Sequence, residues 1–229
     1  MRSYKQFCAL AKALDVVGDR WTLLMVRELL IRGSCRYTDL RTGLPGIPTN
    51  LLVDRLRELE HAALIVREEA PPPIATTLFR LTARGKELEP VLQALGHWGA
   101  PLLAKAPGKD TFRTHWLKLP LEHHLCDTMP ARPAISIELR TGEEPLTLET
   151  VKGKVQARPG AAQNPDAVIS GRPQLVLAVL MGKLSLNDAQ AAGLRYEGDP
   201  AFLQRVRAVS ANRSTNRRRQ DGQPVQSIP

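Results

Sequence analysis

Between Leu14 and Val66 apolar residues recur at helical spacing, stop at Leu44-Pro45-Gly46-Ile47-Pro48, and resume in a segment that carries Arg55 and Arg57. Upstream, Phe7, Leu10, Ala11, Leu14 and Val17 follow the i, i+3, i+4 rhythm of an amphipathic helix, which Gly18-Asp19 interrupts. The rhythm restarts with Trp21, Leu24, Met25 and Leu29, and Gly33 supplies a stop, so a second helix is predicted over Trp21–Leu30. A short helical turn follows at Tyr37–Thr42. A longer helix is predicted from Pro48, where proline suits the first turn, to His61. Leu64–Glu68 and Leu78–Leu81 are β-forming runs flanking Pro71-Pro72-Pro73 and predict a hairpin with a stiff tip. Thr82 then caps a helix that is predicted to continue through Leu92, Leu95 and Trp98.

Two helices across a tight turn, followed by a hairpin, are what a winged helix-turn-helix needs: one helix braces and the next enters the major groove. In the helix from Pro48, Leu51, Leu52, Leu56 and Leu59 form an inward face, and Thr49, Asn50, Asp54, Arg55 and Arg57 an outward one. Asn is suited to bidentate contact with adenine and Arg to guanine or phosphate. Thr49, Asn50 and Arg55 are therefore expected to face bases, with Arg36, Thr38, Arg41 and Arg57 positioning the DNA backbone. The hairpin carries Arg67, Glu68 and Glu69 on one arm and Arg80 on the other, too acidic for a strong grip on phosphate. The apolar side of the helix after Thr82 has no partner within its own domain, and a twofold mate is expected to cover it.

Charge sharpens this reading when divided along the chain. Residues 1–109 hold 16 Lys and Arg against 11 Asp and Glu, net +5; residues 110–204 hold 10 against 11, net −1; residues 205–229 hold 6 against 1, net +5. A basic first half fits a phosphate-binding surface, and the near-neutral middle needs another role. No apolar run approaches the roughly 20 residues that span a bilayer, and the N-terminus lacks a secretory pattern, so a cytoplasmic protein with no membrane partner is expected. Cys8, Cys35 and Cys126 are too scattered for a disulfide framework or a zinc pair. Cys8, at the start of the first helix, is either an oxidation-sensing thiol or a small buried hydrophobe.

The segments Leu14-Asp15-Val16-Val17-Gly18-Asp19-Arg20-Trp21-Thr22, Arg27-Glu28-Leu29, Leu44-Pro45-Gly46-Ile47, Arg55–Glu60, Leu81-Thr82-Ala83-Arg84-Gly85 and Trp98-Gly99 resemble the HxlR group of bacterial winged-helix transcriptional regulators. The resemblance spans about residues 5–104. It implies a homodimer built from the first and last helices of this region, with half-sites about one helical turn apart. It also implies redox or electrophile sensing at Cys8, which some members place there.

Ala106-Pro107-Gly108-Lys109 punctuates the chain, giving domains at 1–106 and 110–209 and a basic, disordered tail at 210–229. Past the boundary, strands are expected at Ile135–Arg140, Leu146–Val151 and Val155–Arg158. Beyond them come a strand at Asp166–Ile169, helices at Pro173–Met181 and Ser185–Ala192, a short strand in Gly193–Asp199, and a helix over Phe202–Val209. The fold class is mostly α with an α+β second domain. Leu180-Met181-Gly182-Lys183, Ala192-Gly193-Leu194 and Glu197-Gly198-Asp199-Pro200 resemble the closing section of the sterol-carrier-protein type fold. That resemblance implies an apolar cavity and a hydrophobic small-molecule effector, the alternative being a dimer-stabilising domain with a filled core. The spacing of His115, His123 and His124 gives no ligand pattern, and no catalytic constellation, cofactor motif or metal motif is present. The expected function is a homodimeric, sequence-specific regulator that binds double-stranded DNA. Its rival is a lipid or small-molecule carrier whose first half serves only dimerisation or protein contacts.

Overall fold

The computed structural model describes residues 3–71, 76–105 and 110–209. The chain divides into two units, Met1–Pro120 with Gly142–Glu144, and Leu121–Thr141 with Pro145–Pro229. The tip of the hairpin beyond Pro71, the Ala106–Lys109 punctuation and the tail from Ser210 lie outside the described residues.

In the first unit, α1 (Ala9–Val17), α2 (Thr22–Arg32), β1 (Ser34–Arg36), α3 (Tyr37–Gly43) and α4 (Thr49–His61) precede the hairpin of β2 (Ile65–Glu69) and β3 (Thr77–Leu81). α5 (Ala83–Lys86) and α6 (Glu89–Gly99) follow, then 3-10 turns at Ala100–Lys105 and Thr114–Leu117. The three strands form one antiparallel sheet in the order β1-β3-β2, with Cys35 opposite Phe79 and Ile65 opposite Leu81. β1 was not expected from the sequence: three residues are too few to show an alternation, and only pairing with β3 makes them a strand. Met25, Leu29, Leu40, Leu52, Leu59 and Ile65 are among the buried side chains that join α2, α3, α4 and the sheet in one core.

Two helical expectations need correcting. α1 begins at Ala9, and of its apolar stripe only Ala11 and Val17 are buried; Leu10 and Leu14 are exposed, as is Phe7 just before it. The continuous helix expected after Thr82 is two helices. Thr82 caps α5 as expected, its Oγ1 accepting from the Gly85 N–H at 3.0 Å. Pro90 then sits in the first turn of α6, where it lacks the N–H that would bond to Lys86, so the helix ends and restarts.

The second unit is a mixed sheet with helices. The chain runs from α7 (Lys118–His124) through β4 (Leu125–Asp127), β5 (Ser136–Arg140), β6 (Leu146–Val151), β7 (Lys154–Pro159) and β8 (Ala167–Ser170). It continues with α8 (Pro173–Leu180), α9 (Leu186–Ala191), β9 (Arg195–Gly198), α10 (Ala201–Arg205) and β10 (Val206–Ala208). The sheet order is β10-β4-β7-β6-β5-β8-β9, with β5 and β8 parallel and the other pairs antiparallel. Ile137, Leu139, Leu146, Leu148, Ile169 and Val176 are buried in its core. The helix expected over Phe202–Val209 stops at Arg205. There the guanidinium turns inward onto Asp127, at 2.7 and 2.9 Å, and Val206–Ala208 pair with β4 instead. A local β-branched tendency at Val206 and Val209 is realised because a partner strand is available.

Candidate nucleic-acid interface

α4 owes its orientation to its own sequence. Leu52, Leu56 and Leu59 are buried at i, i+4 and i+7, so the opposite side faces outward, and Thr49, Asn50, Asp54, Arg57 and Glu60 are exposed. The helix starts one residue later than expected, with Pro48 as its N-cap, and its first turn carries no acidic residue. Its free N–H groups and positive dipole end are therefore not neutralised by a side chain. The preceding turn is closed by the Ile47 N–H donating to the Leu44 carbonyl at 3.1 Å, and Gly46 takes φ +86, which a larger residue adopts only under strain. The Tyr37 hydroxyl donates to the Thr49 carbonyl at 3.3 Å, tying α3 to the first residue of α4.

Thr49, Asn50 and Arg57 stand together on the exposed side of α4. Arg57 is 76% exposed, with Asp54 as a loose partner at 3.8 Å. Arg36, Thr38 and Arg41 are exposed along the end of β1 and on α3. The Arg36 N–H donates to Asp39 at 2.8 Å, which fixes the start of α3. Arg55 is placed differently from the other candidates. Its side chain is 16% exposed, and its Nη1 donates to Asp19 at 2.7 Å and also to Glu58. Its charge is already matched by two carboxylates, one of them in the α1–α2 turn, so it braces α4 from the side.

On the hairpin, Arg80 pairs with Glu68, Arg67 lies 3.6 Å from Glu69, and the Thr77 hydroxyl donates to Glu69 at 2.8 Å. Arg80 holds the Glu68 carboxyl below its usual range. The basic groups of this arm are thus occupied by its own acids.

Sequence reasoning missed Glu28. It lies on the buried side of α2, three residues after Met25, with a side-chain exposure of 0%. His115 Nε2 lies 2.8 Å from one of its oxygens. The Trp116 indole N–H and the Arg27 guanidinium both donate to the second carboxylate oxygen, Glu28 Oε1, each at 2.8 Å. Arg32 Nε lies 3.6 Å from the carboxylate, and the Arg27 guanidinium stacks over the Trp116 ring at 4.3 Å. Burial pushes the carboxyl up, but the His115 bond and the Arg27 charge together outweigh it and leave Glu28 below the ordinary carboxylate range. The signal was present in the sequence as an acid in the apolar phase of a helix. Its partners lie 87 and 88 residues away, where spacing carries no information.

The cysteines differ in setting. Cys35 is fully buried, and desolvation pushes its thiol up to about 12, so it stays protonated. Cys8 is exposed at the N-cap of α1, and Cys126 is half-buried. His115 is committed to Glu28, and the rings of His123 and His124 meet edge to face at 4.8 Å. Among the described residues, no three His, Cys, Asp or Glu side chains are grouped to hold a metal, and no helix is long and apolar enough to cross a membrane.

Residues 16–106 match the family model described as HxlR-like helix-turn-helix. An uncharacterized HTH-type transcriptional regulator of Synechocystis is 36% identical over 96 residues, covering 42% of this chain and 70% of that protein. The chain belongs to the HxlR-like helix-turn-helix family. YvaP of Bacillus subtilis, another HTH-type transcriptional regulator, is 34% identical over 87 residues, 38% of this chain and 80% of its own length. Similar solved structures include the reduced form of the transcriptional regulator YodB from B. subtilis. It is 25% identical, covers 44% of this chain and 100% of that one, and has a TM-score of 0.39.

Residues 130–210 match the SCP-2 sterol transfer family, in agreement with the α+β sheet found there. This HxlR-like protein is therefore a winged helix-turn-helix transcriptional regulator that carries an SCP-2-like second domain, and neither family is enzymatic. The HxlR match ends at residue 106, so the Thr114–Leu117 turn that supplies His115 and Trp116 to Glu28 lies beyond it.

Proposed function

We propose that this regulator acts as a homodimer that binds specific double-stranded sequences through α4, with a hydrophobic small molecule bound by the second domain as effector. Thr49 and Asn50 read base edges, Asn50 by bidentate contact with adenine, while Arg36, Thr38, Arg41 and Arg57 grip phosphates. The reading rests above all on the exposed, acid-free first turn of α4, with Thr49 and Asn50 on its surface and its leucines buried beneath. Arg55 serves as the brace that holds α4 against Asp19. The dimer reading is supported by exposed apolar side chains on and beside two helices: Phe7, Leu10 and Leu14 at α1, and Val91, Leu95 and Trp98 on α6, a helix with no buried residue. The effector reading is supported by the SCP-2 match, and a sensing role for Cys8 by its exposure beside the same apolar face.

The test is a binding titration against duplexes selected from random-sequence DNA. If about 6 to 10 phosphates are neutralised per dimer, affinity falls about 10³- to 10⁵-fold between 50 and 200 mM salt. Asn50→Ala costs about 1–3 kcal/mol at the cognate duplex with little loss on unrelated DNA. A flat salt response, or an Asn50→Ala variant with unchanged sequence preference, overturns the reading.

A further inference from the structure

The Glu28 carboxylate is a junction. On one side it receives His115 and the Trp116 indole N–H from the strap Arg113–Leu117. On the other it presses on Gly43, the last residue of α3, so closely that a Cβ built there would lie 2.2 Å from Glu28 Oε2. Arg27, stacked over Trp116 and bonded to Glu28, also reaches the Gly43 carbonyl at 3.5 Å. Gly43 opens the Leu44–Pro48 turn that sets α4. The strap, the carboxylate and the start of the turn thus form one buried chain of contacts, and Arg27 touches all three. An ordinary core would close this gap with hydrocarbon. A buried charge with several donors is instead sensitive to the loss of any one of them, because the groups left behind stay desolvated and unpaired.

The strap is also placed to be moved. Five residues after Trp116 the chain enters the second unit at Leu121. We infer that the Arg113–Leu117 strap is a regulatory latch: docked on Glu28 through His115 and Trp116 it holds the helix-turn-helix turn in its DNA-competent form, and its release lowers DNA affinity. Glu28 is the positioning residue of this latch and touches no DNA. The inference rests on the DNA-binding reading given above. It adds that a pull transmitted along the chain from the second domain acts on α4 through the strap.

Reciprocity makes this testable without knowing the effector: if the docked strap favours DNA binding, DNA must favour the docked strap by the same factor. The full chain is followed by hydrogen exchange mass spectrometry with and without a 30-base-pair duplex selected from random-sequence DNA. In the wild type the duplex should slow exchange across residues 113–117 at least fivefold. The double variant His115→Gln with Trp116→Phe should bind that duplex at least tenfold more weakly and lose the DNA-dependent slowing, while its free-state exchange in α2 and α4 stays as in the wild type. Should α2 and α4 also open in that variant, Trp116→Phe alone is read, since it keeps an aromatic side chain at this position while removing the indole N–H; a threefold or greater loss of affinity is expected. Strap exchange indifferent to DNA in the wild type, or variants that bind as tightly as the wild type, overturns the latch. A wild type that holds no duplex overturns the DNA-binding reading and the latch with it, whereas a loss confined to the variants leaves that reading standing.

Discussion

The two units finish their surfaces differently. In the second, Met129 and Val209 are the large hydrophobic side chains left exposed among the described residues. In the first, Phe7, Leu10, Leu95, Trp98, Leu102 and Leu103 are exposed alongside several others. An α+β sheet covered by helices buries its own apolar faces. A winged helix domain with a terminal helix at each end has apolar stripes that its own small core has no room for. Their buried charges differ in the same sense. Arg205 and Asp127 match one to one by a bidentate contact, with Thr150 and the Pro133 carbonyl completing the shell, and close the β4–β10 edge. Glu28 shares its two oxygens among Arg27, Arg32, His115 and Trp116, which come from α2 and from the strap. The second unit thus leaves few large apolar side chains uncovered, whereas the first leaves a run of them on and beside α1 and α6.

The largest expected effect tests the self-contained unit. Arg205→Ala removes one partner of a buried pair and should cost about 3–5 kcal/mol, read as a lower urea midpoint, with faster exchange confined to the second unit. Faster exchange spreading equally through α2 and α4 would break the contrast. Trp98→Glu, on the exposed apolar face, should weaken self-association by about 2 kcal/mol or more, roughly 30-fold, in sedimentation equilibrium. An unchanged association constant would mean that the face is not where copies meet.

Acid sharpens the comparison of the two carboxylates. Arg205 holds Asp127 below the ordinary carboxylate range, and Glu28 is also low, the donors of His115 and Arg27 outweighing burial. A folded-state value below the unfolded one gives stability that is complete above the ordinary carboxylate range and lost as pH falls through the folded value. Urea midpoints should therefore hold steady from neutrality to about pH 5 and then decline. Glu28→Gln and Asp127→Asn should each be less stable than the wild type at neutral pH and flatter in acid. The smallest effect belongs to the hairpin: Glu68→Gln frees Arg80, steepening the salt dependence of DNA affinity by about one phosphate contact per subunit, a slope change of about 0.9 for each. No change would place the wing away from DNA.

Much of this architecture was legible in the chain. The leucine phase of α4, the Leu44–Pro48 break, the Thr82 cap and the alternation in β5, β6 and β7 are local signals, and each element formed within a few residues of where its signal lies. The exposed candidates Thr49, Asn50 and Arg57 followed from the same phase. Arg55 did not, because the outward side of a helix has a border. A residue on that border is decided by what faces it, here Asp19 from a turn 36 positions earlier.

By itself the sequence determined periodicity, caps and breaks, since those depend on neighbours three or four residues away and on the backbone chemistry of glycine and proline. Tertiary structure alone decided β1 and β10, each three residues long and made a strand only by the partner it pairs with. It also decided that α1 would leave Leu10 and Leu14 uncovered, that Leu92 of α6 would pack against the core while Leu95 and Trp98 stay exposed, and that Glu28 would be buried among donors from a distant strap. Pairing, burial and charge matching join residues that are close only in space, and no local pattern along the chain encodes that closeness.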